Sequence, residues 1–324
     1  MVYLGFLPTW IPRISAVLSY TFNTLFIYLV LTKTKLPIGS YKYLLICFAI
    51  FDITYTTVDV FSGLNLETGV KIICIRAGFI GLSYSILSIH FIYRYFALCR
   101  PNLLVIFTQP IWIFRFFLFY LSHGVFVYVV LYYILYAGDE VRQKFDGAFR
   151  ETYNVSAMNI PMYGVLYSGF DEKLILRSYI GIFLLSGLSA CSVILYVLVG
   201  YKIHHMLRKN LFSHVSVGLH RQLLKALVVQ TAIPVLVSYF PSVFAWYLPI
   251  FGFNTGEFIN YYTIVFYSFF PFVDPIAMIY FLADYRTAVL KFLKIEAPQG
   301  ITTVYNPTSQ MLTSKVSTRA PSQF

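Results

Sequence analysis

Three carboxylates sit where a chain of this composition tolerates them least. Asp52, Asp59 and Asp274 interrupt long hydrophobic runs, and an acid at the middle of a bilayer costs about 2.5–3.5 kcal/mol on insertion scales. Such a side chain must face the interior of a helix bundle. Asp52 and Asp59, seven residues apart, share one helical face, and Asp274 directly precedes Pro275. Two kinds of chemistry are open to them: a polar network holding an ion or water, or plain hydrogen-bonded glue between helices, with Asp59 near an interface. A second constellation is His90 and Arg94, one turn apart on one face where another hydrophobic run ends. An arginine there either snorkels to the headgroups or meets something on that side of the membrane. Catalytic patterns are missing: there is no phosphate loop, metal-ligand spacing or nucleophile elbow. His204 and His205 are adjacent rather than one turn apart, and Cys47, Cys74, Cys99 and Cys191 are scattered. The expectation is no enzyme, no metal and no cofactor.

The elements that must carry these residues follow from composition. Of 324 residues, 59% are hydrophobic and only 11% charged, against about 25% charged in soluble domains. The chain is a membrane protein. A helix needs about 20 mostly apolar residues to cross a core of about 30 Å, and seven segments qualify: 14–32, 43–62, 77–98, 116–136, 178–201, 226–248 and 258–283. They are too long for barrel strands, and lipid admits only helices or closed barrels. The fold class is therefore all-α, a seven-helix transmembrane bundle over residues 1–296. Pro234 and Pro241 remove backbone donors inside the sixth span and should kink it. After the seventh span, residues 285–294 form a short amphipathic helix on the membrane surface. Residues 297–324, rich in Ser, Thr, Pro and Gln, read as a disordered tail, either inert or open to phosphorylation.

Basic residues set the orientation. With the N-terminus outside, the inner loops and tail hold 16 of the 24 basic residues against two acids, Asp284 and Glu296. Six acids cluster instead in the long loop between the fourth and fifth spans, from Asp139 to Glu172. The net charge of +11 thus marks a membrane face and not nucleic-acid binding. The usable glycosylation sequon, Asn154-Val155-Ser156, falls in that same outer loop, whereas Asn306 is followed by Pro307. Arg13 precedes the first run without a small-residue cleavage site, so that span serves as its own targeting signal.

Several ordered motifs resemble the nematode Str-type seven-transmembrane chemoreceptors. They are Asn23-Thr-Leu-Phe-Ile-Tyr-Leu29, Gly39-Ser-Tyr-Lys-Tyr-Leu44, His90-Phe-Ile-Tyr-Arg-Tyr95 followed by Cys99-Arg100-Pro101, and the stretch from Leu224 through Gln230 to Pro234 with Tyr239 and Pro241. Pro271-Phe-Val-Asp-Pro275 and Asp284-Tyr-Arg286 complete the set. One departure is a short connection from Tyr43 to His90, where family members have more sequence. The resemblance implies a G-protein-coupled receptor for odorants or other small chemicals. Its ligand is a small molecule, its partner a heterotrimeric G protein, and its place the plasma membrane of sensory cilia.

On that resemblance, His90, Tyr93, Arg94, Tyr95 and Arg100 form the G-protein-coupling end, with Tyr93 replacing the acid that precedes the arginine in better-known receptors. Asp52, Asp274 and Pro275 correspond to a polar switch, although Met278 stands where other receptors have tyrosine. Pro234 and Pro241 supply the lever. For a ligand in the outer half of the bundle, Tyr84, Phe183, Phe244, Trp246, Tyr262 and Phe266 offer rings; each could equally be packing or an interfacial anchor. Cys74 stands where many receptors anchor a disulfide, but the loop 137–177 contains no cysteine to pair with it. The rival reading is a transporter or ligand-gated channel for small solutes, since buried acids and broken helices also serve transport. No inverted repeat or paired Gly/Pro-interrupted spans support it.

Overall fold

The computed structural model describes residues 6–33, 41–64, 69–160, 162–209, 214–253 and 266–294. Over these the chain is helical, and six helices are long and apolar enough to cross a membrane. They are α1 (Phe6–Lys33), α2 (Tyr41–Leu64), α3 (Gly69–Cys99), α4 (Pro110–Val129), which runs on into a π turn at Val130–Ile134, α6 (Glu172–Arg208), and α7 (His214–Pro234). The last continues through a π turn at Val235–Tyr239 into α8 (Phe240–Tyr247). The long loop carries its own helix, α5 (Asp139–Tyr153). The seventh run is represented by α9 (Phe270–Phe281), whose upstream part lies outside the described residues, and α10 (Ala283–Phe292) follows it.

The helices close into a ring: α1 packs on α2, α2 on α3, α3 on α4 and α6, α6 on α7, and α9 sits between α7 and α1. The centre is α3, with 61% of its apolar stretch buried against 22% for α4 and for α6. The peripheral helices are instead apolar on all sides, as lipid-facing helices are. Two causes bring α3 and α4 close. Gly78 and Gly124 face each other across the contact, and a Cβ on Gly81 would stand 2.5 Å from the His123 carbonyl oxygen. Small residues at such crossings let helix backbones approach where lipid provides no hydrophobic drive.

The threonine hydroxyls in the middle of α2 are satisfied locally. Thr54, Thr56 and Thr57 each donate to the carbonyl four residues back, at 2.7, 2.7 and 2.8 Å. Thr56 and Thr57 also meet Ser19 and Tyr20 of α1 at 2.7 and 2.9 Å, which pins the α1–α2 register with bonds of side chains that would otherwise be stranded in hydrocarbon.

Helix ends overrun the hydrophobic boundaries expected from sequence, most visibly in α6. Its extra turns begin with Glu172 and finish with His205 and Arg208, charges that suit the two ends of the helix dipole. The tail helix starts two residues before the expected 285–294, because Leu282 takes an extended conformation (φ −88°, ψ 110°) that breaks it from α9. Its Tyr285 is buried edge-on against Phe26 of α1, ring centres 5.8 Å apart, while Phe292 is 85% exposed. The first turn of α10 thus docks on the bundle and only its far end is free for a membrane surface. The tail 297–324 lies outside the described residues.

Candidate functional site

At the end of the bundle where α3 finishes, Arg94 is not extended toward the rim. It is 3% exposed, with its guanidinium carbon 3.4 Å from the ring centre of Tyr41, the first residue of α2. The same tyrosine hydroxyl lies 3.1 Å from Nδ1 of His90, one turn earlier on α3. Tyr93 backs the Tyr41 ring at 5.2 Å and meets Phe107 edge-on at 4.9 Å. Among the described residues no carboxylate comes within ion-pair distance of Arg94, and its Nε and Nη2 find no acceptor. Among the described residues the contact that holds this buried cation is thus an aromatic face, worth about 2 kcal/mol or more when desolvated. The partner of Arg94 is Tyr41, from the Tyr-Lys-Tyr motif, which motif reading identified without connecting it to the arginine. Tyr95 is half-buried with Lys202 near its ring at 5.9 Å, and Arg100 is exposed in the connection to a 3₁₀ turn at Pro101–Phe107. The five coupling candidates therefore divide: His90, Tyr93 and Arg94 form one buried cluster, and Tyr95 and Arg100 stand at its edge.

Deeper in the bundle, Asn23 of α1 donates to the Pro271 carbonyl of α9 at 2.8 Å and to the Ser19 carbonyl at 3.0 Å. Asp52 of α2 and Asp274 of α9 are both buried. Among the described residues none of their four carboxylate oxygens has a hydrogen-bond partner, and Oδ1 of Asn23, Oε1 of Gln230 and Oγ of Ser238 are likewise unpartnered there. Side chains of α1, α2, α7 and α9 thus bring buried oxygen atoms into the interior of the bundle, an arrangement that is costly unless they are hydrogen-bonded.

Asp59 belongs to a separate cluster. It pairs with Arg76 of α3 and accepts from Ser268 Oγ at 2.7 Å. Arg76 also lies 5.9 Å from the ring of Tyr267, whose hydroxyl meets Ser242 of α8. Shared face with Asp52 does not mean shared network. The prolines bracket the π turn Val235–Tyr239: Pro234 closes α7 and Pro241 sits in the first turn of α8. Ser242 donates to the Ser238 carbonyl at 2.8 Å across this break, and Tyr239 meets Ser83 of α3 at 2.9 Å. The sixth span is therefore hydrogen-bonded to α3 at the point where its own ladder is loosened.

The rings chosen for ligand contact separate sharply. Tyr84 is buried, its ring 4.1 Å from that of Tyr239 and its hydroxyl on Ser189, and Trp246 packs on the apolar cluster around Cys74. Phe183, Phe244 and Phe266 are 73%, 52% and 39% exposed. Aromatic identity carries no information about face on helices that are apolar all round. Tyr262 lies outside the described residues.

The long loop is organised without a disulfide; all four cysteines are free and Cys74 is buried. A bridge joins Tyr136 to Tyr163. Arg142 donates to the carbonyls of Ala137 and Met158 at 3.1 and 3.3 Å. The Tyr167 hydroxyl reaches the Trp246 carbonyl at 2.7 Å, tying the loop to α8. Asn154 is exposed and ends α5 in the left-handed region, φ 54°. Beside it, Asp146 accepts from Ser156 Oγ, Arg150 Nε and the Ala157 amide at 2.6, 2.7 and 2.8 Å, and these bonds hold its carboxyl below the usual range, Ser156 contributing most. Sequence reading missed α5, although Val141, Phe145 and Phe149 recur every four residues between charged ones and Asp139 and Glu140 occupy its first turn.

The sequence matches the model of a family described as serpentine type 7TM GPCR chemoreceptor Srj, in two stretches, residues 2–68 and 63–289. The stretches meet in the short connection between α2 and α3 where the motifs depart from their pattern. Among curated proteins of Caenorhabditis elegans, it is 29% identical over 310 residues to serpentine receptor class J-38, covering 88% of this chain and 93% of that one. Identity to serpentine receptor class r-10 is 26% over 309 residues (86% and 89%), and to G-protein coupled receptor str-217 it is 25% over 309 residues (87% and 89%).

Proposed function

The chain belongs to the serpentine seven-transmembrane chemoreceptor family Srj, a multi-pass GPCR-type receptor, and from this premise we propose that it binds a small chemical in one half of the bundle and activates a heterotrimeric G protein at the end closed by Arg94. The Str-type motifs hold at the level of the nematode serpentine receptors, within which Srj is the family matched.

The observation that carries the coupling end is the Tyr41–Arg94 stack. A desolvated cation with two unpartnered donors, held only by a ring from a neighbouring helix, is a stored contact that outward movement of the helix ends would release. The lever is the sixth span, loosened at its π turn between Pro234 and Pro241. Asp52 and Asp274, with Pro275, form the switch between ligand and lever: their unpartnered oxygens require a proton, a cation or water, and a shift of α9 against α2 changes what they can hold. On the ligand side, Tyr84 and Trp246 support contact with a small apolar molecule.

Charge supports placing the N-terminus outside the cell and the Arg94 end in the cytosol. It also puts Asn154, exposed and within a sequon, on the side where glycans are added. Sensory cilia are the membrane this reading assigns.

The test is ligand-dependent G-protein activation in cells expressing the full chain, with Arg94→Ala alongside. Activation lost in Arg94→Ala at equal surface expression supports the assignment; a ligand-driven current or uptake that persists without G proteins would sink it. An epitope at the N-terminus should be accessible on intact cells.

A further inference from the structure

The loop between α4 and α6 encloses a cleft of about 390 Å³, within the size range of small-molecule sites. Its roof is the Val141–Phe145–Phe149 face of α5, its floor the segment from Met162 to Leu166, and its wall Tyr136 and Arg177. The lining is apolar with one cation, and no Asp or Glu lines it. Of the five N–H donors of a guanidinium, one in Arg177 is engaged: Nη2 donates to the Tyr136 carbonyl at 3.0 Å. Nε is buried without an acceptor, and Nη1, which is not screened from solvent, makes no hydrogen bond among the described residues and is the donor a ligand could reach. Among the described residues no carboxylate pairs with it, although the loop holds six acids; those are spent on Arg142, Arg150 and the loop backbone or face outward.

A half-buried guanidinium fixed by one backbone bond, in a cleft whose lining includes Phe145, Phe149 and Tyr163, has the chemistry of a carboxylate receptor: the charge fixes the acid group and the rings take the remainder. We propose that this cleft is a second binding site, for a small carboxylic acid with an aromatic or aliphatic body. The site is lined by the loop and the start of α6, and its binding is measured without any signalling readout, so it stands or falls separately from the signalling assignment.

The experiment measures binding to the full chain in phosphatidylcholine nanodiscs, free of carboxylate-bearing lipid, by saturation-transfer NMR with empty discs subtracted. The probes are phenylacetate and its uncharged isostere phenylacetamide. Phenylacetate should bind at least tenfold more tightly. Arg177→Gln should erase that preference, and Met162→Trp, which fills the cleft, should abolish binding of both. Equal binding of the two probes to the wild-type chain overturns the proposal, as does a preference that survives Arg177→Gln. Should Arg177→Gln fail to fold, Met162→Trp decides: phenylacetate binding blocked by the tryptophan supports the site, and binding untouched by it refutes it. None of these readouts involves a G protein, so their failure leaves the receptor assignment standing, and loss of signalling in Arg94→Ala leaves this site untouched.

Discussion

Replacing Tyr41 by leucine keeps apolar bulk beneath Arg94 and removes the aromatic face. The guanidinium now sits 3.4 Å from that ring centre with no carboxylate to take over. A desolvated cation–π contact is worth about 2 kcal/mol, and if the contact exists only in the resting arrangement, its loss moves the resting-to-active equilibrium by the same amount, about 30-fold. A receptor active about 0.1% of the time without ligand would become active about 3% of the time, a rise readily seen as ligand-independent G-protein dissociation in cells. Surface expression must be matched, since leucine does not reproduce the Tyr41–His90 bond. Tyr41→Phe isolates that second contribution: it keeps the ring, loses a hydrogen bond worth about 1 kcal/mol, and should raise basal signalling by no more than about fivefold. Arg94→Ala on the Tyr41→Leu background should silence the signal. The reasoning is refuted if Tyr41→Leu leaves basal activity unchanged at matched expression, or if Tyr41→Phe activates as strongly, because the aromatic face would then not be what holds the arginine.

Three further outcomes follow from contacts described above. Asp59→Leu removes the carboxylate that pairs with Arg76 in a mostly buried site and should lower stability by about 3 kcal/mol, visible as a fall in melting temperature in detergent, while the double change Asp59→Leu/Arg76→Met should recover most of it. Gly81→Val drives a side chain into the His123 carbonyl and should cost about 1–3 kcal/mol or more; unchanged melting would show that α3 and α4 separate freely. Asp146 has its carboxyl held low by Ser156 and Arg150, so its contribution is complete above the ordinary carboxylate pKa of about 3.9 and disappears only as pH falls through the still lower folded value. Hydrogen exchange around residues 154–158 should therefore stay constant from neutral pH down to about 5, after correction for intrinsic rates, whereas Asp146→Asn should accelerate it throughout.

The parts of this receptor that were legible in its sequence are those fixed by local chemistry. Hydrophobic run length pointed to long apolar helices, six of which are found among the described residues, because lipid leaves the backbone few other ways to satisfy its bonds. The isolated acids announced burial, and Asp52, Asp59 and Asp274 are all buried. What stayed hidden depends on contacts between distant segments. Nothing local in Arg94 points to Tyr41, and the pairing of Asp59 with Arg76 arises only when α2 and α3 pack. Phe183 and Tyr84 are both rings in apolar helices, yet one faces out and the other in, because sidedness is set by which neighbour a helix finds and not by its own composition. The helix in the long loop is a different case: its four-residue rhythm was visible but short, and charged residues around it masked the signal.

The lid over the loop cleft has no covalent staple. Bonds from Arg142, Asp146 and Tyr167 hold it, so reductants that unfold disulfide-braced ectodomains should leave it in place, and the chain can be produced where thiols stay reduced. The buried Cys74 then becomes a built-in reporter. An alkylating reagent reaches that sulfur only when the packing around it parts, and the rate of its modification, with and without a bound small molecule, reads how often this end of the receptor opens.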